Sequence, residues 1–335
     1  MEIPQIKITK GVGLNDIKYD TALTNFSQAY KNQMGFIADK VFPVVPVGSR
    51  TGSYWKWGKD TFLRMKGKKW VPGTPLPTGD FDVDHTPTYE CLYRAFSQPM
   101  RWDMLDEGDD ALDLEQASSE IVTEALLLNR EYEFVQSFFK TSVWTTDQTG
   151  VSSTSPGANQ FTYWSDFEHS DPITTIKTLK RTVKGRIGIK PNTLILSDEV
   201  ADTLVDHPLF LERYMAREGV LNLEMIGAVL DIENIYVGGA VHMTSNEGAT
   251  EALSEMYGKH AWLGYVNPVP RKQSMSAGYT FAYKAVGKNI GGGYDVAVRR
   301  ISDEETMVDK AQGIMCYTQN VVDADAGVFF NGAVE

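Results

Sequence analysis

The 335-residue sequence predicts an α+β protein of elongated plan. Three observations lead there. A single long helical pattern runs from Asp110 to Lys140, with Leu114, Ala117, Ile121, Ala125, Leu128, Tyr132, Val135 and Phe139 spaced three or four apart. Ahead of it, a stretch of roughly 50 residues alternates like two long paired strands. Behind it, short helices and strands alternate as in a compact α+β unit, before two terminal β runs.

Taken in order, residues 1 to 35 are polar and weakly periodic, as in an extended arm ordered by lying on something else. FIADKVFPVVPV (Phe36 to Val47) reads as a strand at a sheet edge, because Pro43 and Pro46 cannot donate to a ladder. SYWKWGKDTFLRM then places Trp55 and Trp57 on one side and Tyr54 and Lys56 on the other. Its tip, MKGKKWVPGTPLPTG, is dense in glycine and proline, and FDVDHTPTYECLYRAFSQPM is the return strand. An isolated hairpin is marginal in water, so something must pack on this one.

The long helix spans about 40 Å at about 1.5 Å per residue. Asp109, Asp110 and Asp113 favour the dipole at its start, Asp113 with Gln116 resembles a capping box, and Glu120, Glu124 and Glu131 make an acidic stripe on the face opposite the apolar one. After a Ser/Thr/Gly/Asn-rich loop from Thr141 to about Phe161, DPITTIKTLKRTVKGR starts a helix at Asp171 and Pro172. NTLILS and NIYVGG are strands, SDEVADTLVDHP is a helix capped by Ser197, and LNLEMIGAVLDI is another helix. AWLGYV, TFAYKAV, YDVAVRRI and the terminal MVDKAQGIMCYTQNVVDADAGVFFNGAV supply further strands.

Composition places the chain among ordinary globular proteins, since 42% hydrophobic and 23% charged residues lie far from a disordered balance. No leader-like apolar stretch opens the sequence and no run of eighteen apolar residues occurs, so a soluble, non-exported protein is expected. Cys91 and Cys316 lie in apolar settings and read as buried free thiols.

Charge is segregated by block. From Gly48 to Gly79, seven basic residues (Arg50, Lys56, Lys59, Arg64, Lys66, Lys68, Lys69) face the single acid Asp60, whereas Asp80 to Val135 carries fifteen acids against Arg94, Arg101 and Arg130. In a chain of net charge −12, a +6 segment beside a −12 segment implies that one block meets the other, or an outside partner.

Enzymatic signatures are missing. The five histidines are scattered, without an HExxH pair or a histidine at ligand spacing from a cysteine. DFDVDH has His85 where a calcium loop needs glycine and Cys91 where it needs glutamate, so it reads as three acids on one strand face. AVGKNIGGGYDV lacks the phosphate-loop spacing and reads as a hairpin tip. With no GxSxG elbow and no serine or cysteine near a base in sequence, neither enzyme chemistry nor a cofactor or metal is expected.

The arm, FIADKVFPVVPV leading into SYWKWGKD, DLEQASSEIVTEALLLNRE, WSDFEHSDPITTIKTLK and PNTLILSDEVADTLVDHP, in that order, resemble the major capsid proteins of tailed bacteriophages across essentially the whole chain. The resemblance implies the Hong Kong 97-type phage capsid fold: an N-terminal arm (1–35), a peripheral-domain strand (36–47), an extended E-loop hairpin (48–100), a peripheral domain with the long spine helix (101–170), an axial domain (171–301) and peripheral-domain return strands (302–335).

It implies a structural protein that self-assembles as hexamers and pentamers into an icosahedral head shell around the phage DNA genome, in the virion after assembly in the host cytoplasm. The E-loop of one subunit then lies over its neighbour's peripheral domain. Arg50, Trp55, Lys56, Trp57, Lys59, Phe62, Arg64, Lys66, Lys68, Lys69 and Trp70 are the expected donor side of that contact, and Glu115, Glu120, Glu124 and Glu131 the acceptor side.

Some relatives carry a scaffolding-like segment ahead of the arm. None precedes Met1 here, which leaves two readings, a segment already cleaved off or, more simply, a separate scaffolding protein; a portal and a decoration protein are further expected partners, with no membrane. The net charge implies only weak, non-specific contact with packaged double-stranded DNA. The alternative is a nucleic-acid-binding module, in which the basic aromatic hairpin neutralises phosphates and stacks on bases.

Overall fold

The structure, a computed structural model, describes residues 35–57, 64–65, 67–76, 78, 83–102, 111–214, 222–246, 250, 252–270, 275–284 and 296–335. Residues 1–34 of the expected arm, Lys59, Phe62, Lys66, Asp109, Asp110, the Asp113 side chain and residues 285–295 of the glycine-rich stretch lie outside this set. The chain forms two compact units, one drawn from Tyr93–Leu126 and Tyr283–Cys316, the other from Asn32–Leu92, Leu127–Ala282 and Tyr317–Glu335.

The first unit is a helix laid on antiparallel strands. β15 (Ala297–Asp303) pairs with β16 (Val308–Val321) from Ala297↔Ile314 to Asp303↔Val308, and β6 (Leu92–Arg101) also pairs with β16. The N-terminal part of helix α2 (Ala111–Phe138) crosses β16 so closely that a Cβ added to Gly313 would stand 2.4 Å from Val122 and 2.8 Å from Leu126. Only glycine permits that approach. Arg300 ties the strands to the helix by pairing with Asp309 and Glu115, and the Trp102 indole N–H donates to Asp309 at 3.1 Å.

The second unit is built on a six-stranded sheet ordered β10 (Asn234–Gly238), β9 (Thr193–Ser197), β13 (Ala261–Gly264), β17 (Gly327–Asn331), β7 (Thr146–Val151) and β8 (Gln160–Thr162). β9 is buried along its whole length, as a continuous apolar run such as TLIL requires. Helix α3 (Pro172–Ile187) packs Ile173, Ile176, Leu179, Val183 and Ile187 into this core. Asp171 caps it by accepting from the Thr174 N–H at 2.9 Å, with Pro172 in the first turn, as the sequence predicts. Shorter helices α4 (Asp198–Asp206), α5 (Pro208–Tyr214) and α6 (Leu223–Leu230) follow. Trp164, Trp262, Tyr257, Phe210, Phe329 and Phe330 fill the core. The expected cap at Ser197 is an N-cap by position only, because its hydroxyl makes no capping bond and is buried without a partner among the described residues.

At the start of this unit, FIADKVFPVVPV divides into a turn of helix α1 (Ala38–Val41) and strand β1 (Val44–Val47). β1 pairs with β14 (Gly278–Tyr283), and β14 continues onto the end of β16 through Gly278↔Val321 to Ala282↔Tyr317. Pro46 sits in an edge strand, where a missing N–H costs no ladder bond. Phe42 then buries its ring against Phe134 and Phe138 of α2, at centroid distances of 5.1 and 4.8 Å.

The long helix is present but turned. Its buried positions are Ser118, Ser119, Val122, Thr123, Leu126, Leu127, Arg130, Glu131, Phe134 and Val135, while Ile121 and Tyr132 from the expected apolar stripe are 47% and 39% exposed. Polar residues hold much of the inward face. Thr123 bonds back to the Ser119 carbonyl at 2.7 Å, and Arg130 pairs with Asp39 at 2.5 Å. Glu131 is 1% exposed and is no part of a solvent-facing acidic stripe. Its carboxylate accepts the Ile37 and Ala38 N–H groups at 2.9 and 3.0 Å and the Tyr257 hydroxyl. Burial pushes this carboxyl up, against the three donated bonds and Arg130, which lower it.

Candidate functional site

The basic aromatic stretch forms a two-stranded excursion anchored at its base and bare at its tip. β2 (Thr51–Ser53) pairs with β5 (Thr88–Glu90), and β3 (Lys56–Trp57) with β4 (Val83–Asp84). The alternation read from the sequence holds for Tyr54 and Trp55, but Lys56, expected on the side of Tyr54, is exposed. Tyr54 turns inward, 6% exposed, and rests on Phe281 at 5.2 Å, whereas Trp55 turns outward at 40%. Tyr89 stacks on the same Phe281 ring at 4.8 Å and 20°, and the buried free thiol Cys91 lies 3.4 Å from the Phe281 carbonyl. Phe281 is too distant in sequence for local pattern to reveal these anchors.

Beyond the base, Arg64, Met65 and Gly67 through Leu76 are all exposed. Val71-Pro72-Gly73-Thr74 closes a tight turn. Thr74 N–H donates to the Val71 carbonyl at 3.2 Å, proline stands second, and Gly73 takes φ 97°, which a type II turn reserves for glycine. The Trp70 indole N–H donates to the Thr74 carbonyl at 2.8 Å, fixing its ring beside the turn. The described residues of the segment therefore have local shape while remaining exposed. Met65, Val71 and Leu76 are 99%, 66% and 70% exposed, and Trp70 is 46% exposed, among the exposed cations Arg64, Lys68 and Lys69.

Of the other expected contact residues, Arg50 and Lys56 are exposed near the base and Trp57 lies in β3. On the acidic side, Glu115 is taken by Arg300 of its own chain and Glu131 is buried, while Glu120 and Glu124 are half-buried with no ion pair among the described residues.

A second charged feature emerges only in the structure. Lys177, Lys180, Arg181 and Lys184 of α3, with Lys190, Leu230 and Asp231, line a cavity of about 310 Å³. Lys180 is 7% exposed and donates to the Leu230 carbonyl at 3.0 Å and to the Asp231 carboxylate at 2.9 Å, so its ammonium closes the C-terminal end of α6. Lys190 meets the same carboxylate at 3.1 Å, and these two lysines hold Asp231 at about 2.

Since an unfolded aspartate titrates near 3.9, the folded state gains from this group fully above that value and loses the gain as pH falls toward 2. Asp231 has φ 54°, which asparagine tolerates as well. Asp231→Asn is therefore expected to lower the urea midpoint at pH 7, with the gap to the parent closing as pH approaches 2.

The structure also brings Ser170 and His207 together at 2.9 Å, a pair the sequence did not foreshadow. The Leu209 N–H donates to His207 Nδ1 at 3.2 Å, so Nε2 carries the proton and donates to the Ser170 hydroxyl. A histidine so held cannot take that serine's proton, and burial pushes its imidazole down. The pair is a structural pin. Among the described residues no three His, Cys, Asp or Glu side chains gather as a metal would need, and no helix is long and apolar enough to cross a membrane.

No protein-family model matches the chain. It is 26% identical over 324 residues to the major capsid protein of Burkholderia phage BcepMu, covering 93% of this chain and 96% of that one. It is 27% identical over 267 residues to the major capsid protein of Pseudomonas phage JBD67, covering 72% and 75%. Among solved structures, a phage-related protein from Bordetella bronchiseptica RB50 superposes with a TM-score of 0.70 at 23% identity, over 94% of this chain and 97% of that one. These likenesses bear out the resemblance to tailed-phage major capsid proteins and the Hong Kong 97-type α+β fold expected from it.

Proposed function

We infer that the chain is a bacteriophage major capsid protein, a structural subunit that assembles with its own copies into the icosahedral shell of the phage head. The observation that carries this reading is the two-stranded excursion, pinned at its base through Tyr54 and Tyr89 yet exposing Met65, Trp70, Val71 and Leu76 beyond it. Apolar groups held in a defined turn and left open to water belong at an interface.

The excursion corresponds to the family's E-loop and lies over the peripheral domain of the adjacent subunit. Its cations steer docking and set the register. Exposed ion pairs give only about 0–1 kcal/mol each, so area buried by the tryptophans and neighbouring apolar side chains supplies more. Donor and acceptor surfaces differ, so the contact is heterologous and propagates around hexamers and pentamers. Glu120 and Glu124 are the acids best placed to receive it, since Glu115 and Glu131 serve their own chain.

The boundaries are an arm to 35, the E-loop from 48 to 100, the spine-bearing peripheral domain from 101 to 170, and the axial domain from 171 to 301. A separate scaffolding protein, a portal and a possible decoration protein are partners, and the protein, which is not an enzyme, is assembled in the host cytoplasm and resides in the virion. Negative-stain microscopy of the purified full-length chain tests the central claim, with closed shells or capsomer rings expected. Monomers at every concentration, joined to tight duplex binding that Lys68 and Lys69 control, would instead make the excursion a nucleic-acid-binding hairpin.

A further inference from the structure

We propose that the cavity beside α3 is a phosphate-binding site that takes the backbone of nucleic acid, with Lys177, Arg181 and Lys184 as the groups that neutralise it. The nature of the polyanion rests on the shell reading; the chemistry of the site does not. Lys180 and Lys190 are already committed to Asp231 and the end of α6. Lys177, Arg181 and Lys184 make no ion pair among the described residues, although Arg181 and Lys184 are exposed and Lys177 half-buried. Their i, i+4, i+7 spacing puts them on one helix face over about 10.5 Å. Three uncompensated cations line a concavity of about 310 Å³ rather than a convex surface, where each would be solvated separately.

The lining selects between polyanions. A docking surface for an acidic protein segment would carry aromatic or aliphatic anchors, because burial of such groups supplies most of an interface's affinity. Here, among the described residues, Leu230 is the one apolar residue lining the cavity, and no aromatic ring lines it for a base to stack on. That leaves phosphate contact without sequence readout. The chain's net charge of −12 does not forbid it, since carboxylates beyond a Debye length of about 8 Å are screened at physiological salt, and the local cluster then governs. Contact with the genome at this site is then weak and not sequence-specific, which suits a wall that must let packed DNA leave.

The test uses the unassembled full-length chain, a fluorescent 20-base-pair duplex and inorganic tripolyphosphate, with anisotropy followed across a salt series. Lys177→Ala/Arg181→Ala/Lys184→Ala should lower duplex affinity about 10-fold or more at 0.1 M salt and reduce the salt slope by about 2.7, near 0.9 per lost contact. Lys68→Ala/Lys69→Ala should leave both nearly unchanged. Tripolyphosphate should compete with the duplex on the parent and not on the triple variant.

An unchanged slope in the triple variant overturns the proposal, as does a slope that falls only in the Lys68/Lys69 variant. Binding of tripolyphosphate without duplex binding overturns the nucleic-acid assignment. Loss of shells with duplex affinity intact would assign the cavity to an acidic surface of a second copy and so overturns it too. Microscopy of the same preparations keeps the two readings apart: shells without phosphate binding sink this inference alone, and phosphate binding by a parent protein that never assembles sinks only the shell reading.

Discussion

Replacing Lys66, Lys68 and Lys69 together with glutamate is expected to leave soluble, folded subunits that do not close into shells. Each reversal removes a positive charge and adds a negative one, so the Gly48–Gly79 block falls from +6 to zero. Lys68 and Lys69 are exposed, and the pinning aromatics Tyr54 and Tyr89 lie at the other end of the excursion, so the thermal unfolding curve should be nearly that of the parent. Assembly is another matter. A single exposed pair contributes about 0–1 kcal/mol, but reversal turns attraction into repulsion at three positions and repeats it at every subunit contact of a closed ring. Microscopy and sedimentation, read beside circular dichroism, separate loss of assembly from loss of fold. Parent-like particles from the triple variant would remove electrostatic steering from the account and leave the contact to Trp70 and its apolar neighbours.

The parts of the fold legible from local pattern share one property: their determinants lie within a few residues of each other. Asp171 and Pro172 announce α3, the unbroken apolar run of β9 announces a buried strand, and Pro43 and Pro46 announce an edge. The face of α2 was not legible, because its inward side carries Arg130 and Glu131, whose partners Asp39, Ile37, Ala38 and Tyr257 lie some 90 or more residues away in sequence. A charged residue with a distant partner looks in sequence like a solvated one. The same blindness hid Tyr54 and Tyr89 on Phe281, while the basic composition of the excursion tip was plain. The sequence marked α3 as a helix and no more, because the concavity its cations line depends on Leu230 and Asp231 from another helix end.

Glu131 is where that distant pairing can be weighed, and Glu131→Ala is expected to cost about 3–5 kcal/mol of stability. Truncation leaves the Ile37 and Ala38 N–H groups and the Tyr257 hydroxyl without their acceptor in a region where Tyr257 is fully buried. Each buried donor so orphaned costs about 1–3 kcal/mol, and the emptied volume adds to that. Glu131→Gln should fall between, because the amide keeps one acceptor but turns an NH₂ toward a backbone donor. Tyr257→Phe should cost about 0.5–1.5 kcal/mol, as it removes a donor while the carboxylate keeps two others. Measured by urea midpoints, the Glu131/Tyr257 double-mutant cycle should show coupling of about 0.5–3 kcal/mol. If Glu131→Ala cost under about 1 kcal/mol, water or a rearranged α1 would have to satisfy those amides. The carboxylate would then not be the clasp that holds α1, and with it the strand leading into the excursion, against the long helix.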